Sequence, residues 1–167
     1  MQDPSKTTCP PNARTTRHER ASTMPSLSEV LTTRKPEAIN DCVQIIDAEV
    51  ESKSGISGFA IKAGYAVVKG VRPGFIRQAV TDLLPDFAQA LDPICLEAST
   101  LGRPVADYMK DNPGKVADAL LAITDAKAQR AKMAAVKATY EKLRGSAKKN
   151  VEAAVPRLAK MVEKFTA

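Results

Sequence analysis

The sequence predicts an all-α fold, a single-domain bundle of about five to seven helices with proline-punctuated starts. Three observations predict it. Apolar residues recur at i, i+3, i+4 and i+7 in several segments, the spacing of one face of a helix, and no segment alternates with the period of two that marks a strand. Prolines at Pro25, Pro36, Pro73, Pro85, Pro93, Pro104 and Pro113 fall mostly where a helix could begin, a position at which the missing N–H costs nothing and the fixed φ is already helical. Finally, the 167 residues are 44% hydrophobic but only 4% aromatic, with no tryptophan. Such a core is built from Ala, Val, Leu and Ile, which suits closely packed helices.

Residues 1–23 carry Pro4, Pro10 and Pro11 among Ser, Thr and Arg with no hydrophobic periodicity. They read as a disordered leader, with the composition of an organellar transit segment but no apolar stretch of a secretory signal. The helical domain is then 24–167, and Met24 is a candidate start. Within it, Ile39, Cys42, Val43, Ile46 and Val50 mark a helix over 37–53, with Glu37 at its positive end.

Residues 54–70 hold Gly55, Gly58, Gly64 and Gly70 in an otherwise apolar run. Each interior glycine costs about 1 kcal/mol against alanine, so the glycines predict close helix packing along a stripe of Ala60, Gly64, Ala66 and Gly70. Ile76, Val80, Leu83, Phe87, Leu91 and Ile94 continue one phase over 75–94 and straight through Pro85, which predicts a kink or a second helix begun in register. Short helical pieces follow over 94–111. Asn112 then reads as an N-cap and Pro113 as the first residue of a long helix over 113–144. Gly145 is placed to end that helix and Ser146 to cap the last one, whose apolar positions are Val151, Val155, Leu158, Val162 and Phe165 around Pro156.

Chemistry is sparse. The one histidine, His18, lies in the leader, so a Ser-His or Cys-His nucleophile has no base. Di-iron bundles use Glu-x-x-His pairs that this chain lacks, and no metal or cofactor is expected. The glycines match no phosphate-cradling loop. Asp107, Asp111, Asp118 and Asp125 at helical spacings are what remains for a small-molecule enzyme using Asp and Lys. Lys62 and Lys69 bracket Tyr65 and could line a pocket, though they read first as a solvated helix edge. Cys9, Cys42 and Cys95 show no paired spacing; Cys42 and Cys95 read as buried free thiols, which points to a reducing compartment, the cytoplasm. No transmembrane segment is expected, because Lys62 and Lys69 interrupt the most apolar run.

Charge is unevenly distributed. Formal charge is +2 over 1–23, −4 over 24–126 and +8 over 127–167, against +6 for the whole chain. A polyanion would therefore meet Lys137, Lys142, Arg144, Lys148 and Lys149 first, as weak, non-specific binding of nucleic acid or an anionic lipid surface. The competing reading is solvation of two helix faces, with Lys137–Glu141, Lys148–Glu152 and Lys160–Glu163 as surface pairs. Only Tyr140 interleaves the basic run for stacking on bases.

Asp47-Ala-Glu-Val-Glu-Ser-Lys-Ser-Gly-Ile-Ser-Gly58, Lys62-Ala-Gly-Tyr-Ala-Val-Val-Lys69, Leu83-Leu-Pro-Asp-Phe87 with Ala90-Leu-Asp-Pro93, Ala117-Asp-Ala-Leu-Leu-Ala-Ile-Thr-Asp-Ala126 and Leu143-Arg-Gly-Ser-Ala-Lys-Lys-Asn-Val-Glu152 together resemble a family of small bacterial helical proteins with a domain of unknown function. The resemblance runs from about Met24 to Phe165. It implies no activity, cofactor or site. The expected role is that of a non-enzymatic binding or scaffolding module for an unidentified protein partner.

Overall fold

In the computed structural model, which describes residues 25–167, seven α-helices follow one another: α1 Leu27–Thr33, α2 Lys35–Ser52, α3 Gly55–Gly70, α4 Phe75–Thr100, α5 Val105–Asp111, α6 Pro113–Gln129 and α7 Ala134–Thr166. No strand occurs among the described residues. The expected leader, 1–23, lies outside them. A capping box starts α1: the Ser26 hydroxyl accepts from the Glu29 N–H, and the Glu29 carboxylate accepts from the Ser26 N–H at 2.9 Å. Pro36 stands at the start of α2 and Pro113 at the start of α6. Gly74, at φ 73°, turns the chain from α3 into α4 through a left-handed conformation open to glycine.

The core gathers around α4 and α7. Val80, Leu84, Ala88, Leu91, Ile94 and Ala98 of α4 and Val155, Ala159, Val162 and Phe165 of α7 belong to one buried cluster, with Leu27 and Leu31 of α1, Met109 of α5 and Val116 and Leu120 of α6 between and around them. The predicted apolar stripe of the last helix is therefore the one that is buried. In α4 the stripe is rotated: Leu84 and Ala88 go inward, while Ile76, Leu83 and Phe87 stay half-buried.

Three prolines lie inside helices, and of these Pro93 is the one expected to mark a helix start. α4 runs unbroken through Pro85 and Pro93, and α7 through Pro156. All three are exposed, so the carbonyls that lose a backbone donor, Thr81 and Gln89 in α4 and Glu152 in α7, lie toward the solvent side, where water can serve them.

The expected break at Gly145 is also displaced. The chain turns at 130–133, and Gly145 is an exposed residue inside a 33-residue α7. Nothing local ends α6, because 127–136 are good helix formers. A single helix over 113–166 would be roughly 80 Å long at 1.5 Å per residue and would hold its two apolar halves apart. Folding back lets Val116 and Leu120 bury in one core with Val155 and Val162, and that burial outweighs local propensity. Asn112 gives no side-chain cap to α6. Its amide donates instead to the Tyr108 carbonyl at 2.9 Å, finishing α5.

Candidate functional site

One feature of the interior is a space rather than a cluster of groups. α2, α3, α4, α6 and α7 surround a partly open cavity of about 530 Å³. Its walls include residues that the helical phases mark as core but that end half-buried, Ile46 and Val50 of α2, Ile76, Leu83 and Phe87 of α4 and Val151 and Leu158 of α7, together with Ile45 and Leu143. Ile61 and Tyr65 of α3 supply a further wall. Small side chains at Ala79, Ala147 and Ala154 leave the volume unfilled.

The polar groups of the wall are already committed. The Tyr65 hydroxyl donates to Asp47 at 2.6 Å, the Thr124 hydroxyl to the Leu120 carbonyl at 2.9 Å, and the Asn150 amide to the Ser146 carbonyl at 2.8 Å. Tyr140 donates to Asp125. A buried water needs two to four partners, and these walls offer almost none. Burial raises the pKa of both Tyr65 and Tyr140, and their hydrogen bonds to Asp47 and Asp125 push in the same direction. Both remain phenols at any physiological pH. Cys42 lines the cavity with its Sγ 3.6 Å from Met161 Sδ, and burial pushes its thiol up to about 11, so it is a neutral, poorly nucleophilic wall.

One end of the cavity is charged. Glu49 and Lys53 line it and also line a second depression, of about 440 Å³, together with Ser52, Pro156, Arg157 and Lys160. Glu49 accepts from Arg157 Nε at 2.7 Å and pairs with Lys53 Nζ at 3.1 Å, while its side chain keeps only 13% exposure.

Of the small-residue stripe, Gly64 is the position that lies close against another helix. A Cβ on Gly64 would lie 2.9 Å from Leu143 Cδ1 and 3.0 Å from Thr139 Cγ2, so α3 seats closely on α7 there. Ala60, Ala66 and Gly70 are exposed and contribute nothing to such packing. The correction follows from helix geometry: one side of α3 can face the bundle, and Ala66 and Gly70 lie on another. Gly58 is the second close approach, since its Cβ would fall 2.6 Å from the Lys53 carbonyl carbon. Ile56, Phe59 and Val67 face outward at 94%, 76% and 50% exposure.

The basic residues do not assemble into one surface. Lys137, Arg144 and Lys148 recur at i, i+7 and i+11 on one side of α7, and Lys142 and Lys149 lie on another. Arg144 is held by Asp125 through two bonds, Nε at 2.6 Å and Nη2 at 2.8 Å, and Lys148 reaches across to Asp118 at 2.8 Å. The expected pairs with Glu141, Glu152 and Glu163 do not form among the described residues; Lys148 turns instead to Asp118 of α6.

The four aspartates do not converge. Asp107 pairs with Lys110, Asp111 with Arg103, Asp118 with Lys148 and Asp125 with Arg144. Lys62 is exposed and Lys69 pairs with Asp47 at 3.8 Å, so the two lysines are the solvated edge, while Tyr65 between them faces the cavity. Cys42 and Cys95 are free and half-buried, and Cys9 lies outside the described residues. Among the described residues no group of His, Cys, Asp and Glu is placed to hold a metal, and no helix is long and apolar enough to cross a membrane.

Spacing could not reveal the cavity or its charged end. Glu49 and Lys53 are visible as an i, i+4 pair on α2, but Arg157 is 108 positions from Glu49 and meets it only after the bundle closes.

A family model described as a family of unknown function, DUF6918, matches residues 27–166. No curated protein matches the chain, and no solved structure matches it.

Proposed function

This chain belongs to the DUF6918 family of unknown function, and we propose that it is a non-enzymatic binding protein whose cavity holds an apolar chain. The observation that carries the reading is the cavity whose polar lining groups are already bonded within the protein. Its volume, about 530 Å³, falls in the usual range of ligand pockets. Because the cavity is partly open, its apolar walls face water in the empty protein, at a cost that grows with the apolar area exposed. An apolar occupant removes much of that cost, and water, lacking partners, does not.

Uptake of the neutral dye Nile red by the folded protein, and its displacement by hexadecanol, tests this. Ligand at a hundredfold excess over Kd is expected to raise Tm by roughly 5–10 °C. A folded protein that takes up no dye and shows no thermal shift with the alcohol refutes the proposal.

Binding of nucleic acid or an anionic membrane surface through Lys137, Lys142, Arg144, Lys148 and Lys149 is the weaker reading, since Arg144 and Lys148 already have carboxylate partners. It requires affinity that falls steeply with salt. An enzyme built on the aspartates is weaker still, each being held by its own cation. A cytoplasmic, bacterial setting rests on the free thiols Cys42 and Cys95 and on the sequence resemblance. A protein partner is a separate possibility, for which the outward Ile56 and Phe59 are the natural contact.

A further inference from the structure

The charged depression and the apolar cavity share a wall, and that junction says what kind of chain the cavity takes. Glu49 and Lys53 belong to both spaces, with Arg157 and Lys160 lining the depression beyond them. Three cations stand there against one carboxylate. Glu49 uses its two oxygens on Arg157 and Lys53, and Lys160 makes no ion pair among the described residues.

We propose that the ligand is a single-chain amphiphile with an anionic head, its hydrocarbon in the cavity and its carboxylate or phosphate among Lys53, Arg157 and Lys160. This inference rests on the apolar-chain reading above and adds the identity of the head. A guanidinium and two ammonium groups favour a planar carboxylate or a phosphate over a hydroxyl. An ammonium head would meet a net charge of two of its own sign.

The depression lies where such a head must be, at the charged end of an otherwise apolar space. Glu49 now holds the position that the head would share. Its carboxylate orients Arg157 and Lys53 in the empty protein, as an internal stand-in for the ligand's own anion.

Isothermal titration of palmitate, hexadecyl phosphate, hexadecanol and hexadecylamine into the full chain tests the assignment, all below their micelle concentrations. At least one anion is expected to bind tenfold or more tighter than the alcohol, with the amine weakest and the advantage shrinking as salt rises. Whichever anion leads identifies the head as carboxylate or phosphate. The double substitution Arg157→Gln with Lys160→Gln removes the anion's advantage over hexadecanol. Glu49→Gln frees the two cations and strengthens anion binding.

Equal affinity for the alcohol and both anions overturns the head-group site while leaving the cavity reading intact. Failure of all four ligands overturns both. An anion preference that survives the double substitution places the head elsewhere and also overturns the assignment.

Discussion

Gly64 and Leu143 meet at the α3–α7 contact with no room for a methyl group between them: a Cβ on Gly64 would lie 2.9 Å from Leu143 Cδ1. Both atoms that it would meet, Leu143 Cδ1 and Thr139 Cγ2, are side-chain ends, and Leu143 also lines the cavity. Alanine is therefore accommodated by a small swing of Leu143. Gly64→Leu is not, and is expected to lower stability by about 1–3 kcal/mol through overpacking. Chemical denaturation of the monomer measures it. Loss of a dimer with unchanged monomer stability would show that Gly64 serves a contact between chains instead.

Two other glycines should respond in opposite directions. At Gly58 a Cβ would meet the backbone of Lys53 at 2.6 Å, and backbone does not swing aside. Gly58→Ala is expected to destabilise by about 1–3 kcal/mol and to disturb the Lys53–Glu49 pair at the end of α2.

Gly145 sits exposed inside α7 with nothing within 4 Å of an added Cβ. Gly145→Ala should stabilise by about 0.5–1 kcal/mol, the difference in helix propensity. If the chain instead broke there in a left-handed cap, as its sequence alone suggests, alanine would destabilise it. Thermal unfolding decides between a continuous α7 and a break.

The helices were legible in the sequence because their cause is local: Ile39, Val80, Leu91, Val155, Val162 and Phe165 fall on the periodic stripes and are buried. The turn at 130–133 was not, since it exists to bring two apolar faces together and leaves no mark on the residues that make it. Pro93 misled for a related reason. A proline's effect depends on which side of the helix it occupies, and that is known only once the bundle is assembled. Of the candidate site, Tyr65 was noticed for its neighbours Lys62 and Lys69, which share its side of α3, but that it lines a cavity depends on helices far away in the sequence. The cavity itself is a volume that side chains fail to fill, and no residue announces it.

Acid should weaken the bundle in a defined window. Glu37 is held below its ordinary value of 4.5 by hydrogen bonds from Lys164 and then Arg34, Glu97 by Lys115, and Asp125 below its ordinary 3.8 by Arg144 and then Tyr140. Groups whose folded values are depressed stabilise the fold fully above the unfolded values and lose that contribution as pH falls through the folded ones. Stability should therefore be flat with respect to these groups from neutrality to about pH 5 and fall below about 4. Asp125→Asn should make that decline shallower in a denaturant series against pH. An undiminished decline would assign the acid sensitivity to other carboxylates.

Filling the cavity separates its two consequences, stability and binding. Ala147 is a half-buried wall residue of α7, and leucine there adds three carbons facing open apolar space. At about 0.8 kcal/mol per buried methylene, Ala147→Leu is expected to stabilise the ligand-free protein by about 1–2 kcal/mol, raising Tm by roughly 2–8 °C. The same carbons occupy volume that a chain would need, so Nile red uptake and hexadecanol affinity should fall together. Ordinary core overpacking has the opposite sign, a loss of about 1–3 kcal/mol. Destabilisation of that size would mean that the helices close over the space in solution, and the apolar-chain reading would go with it.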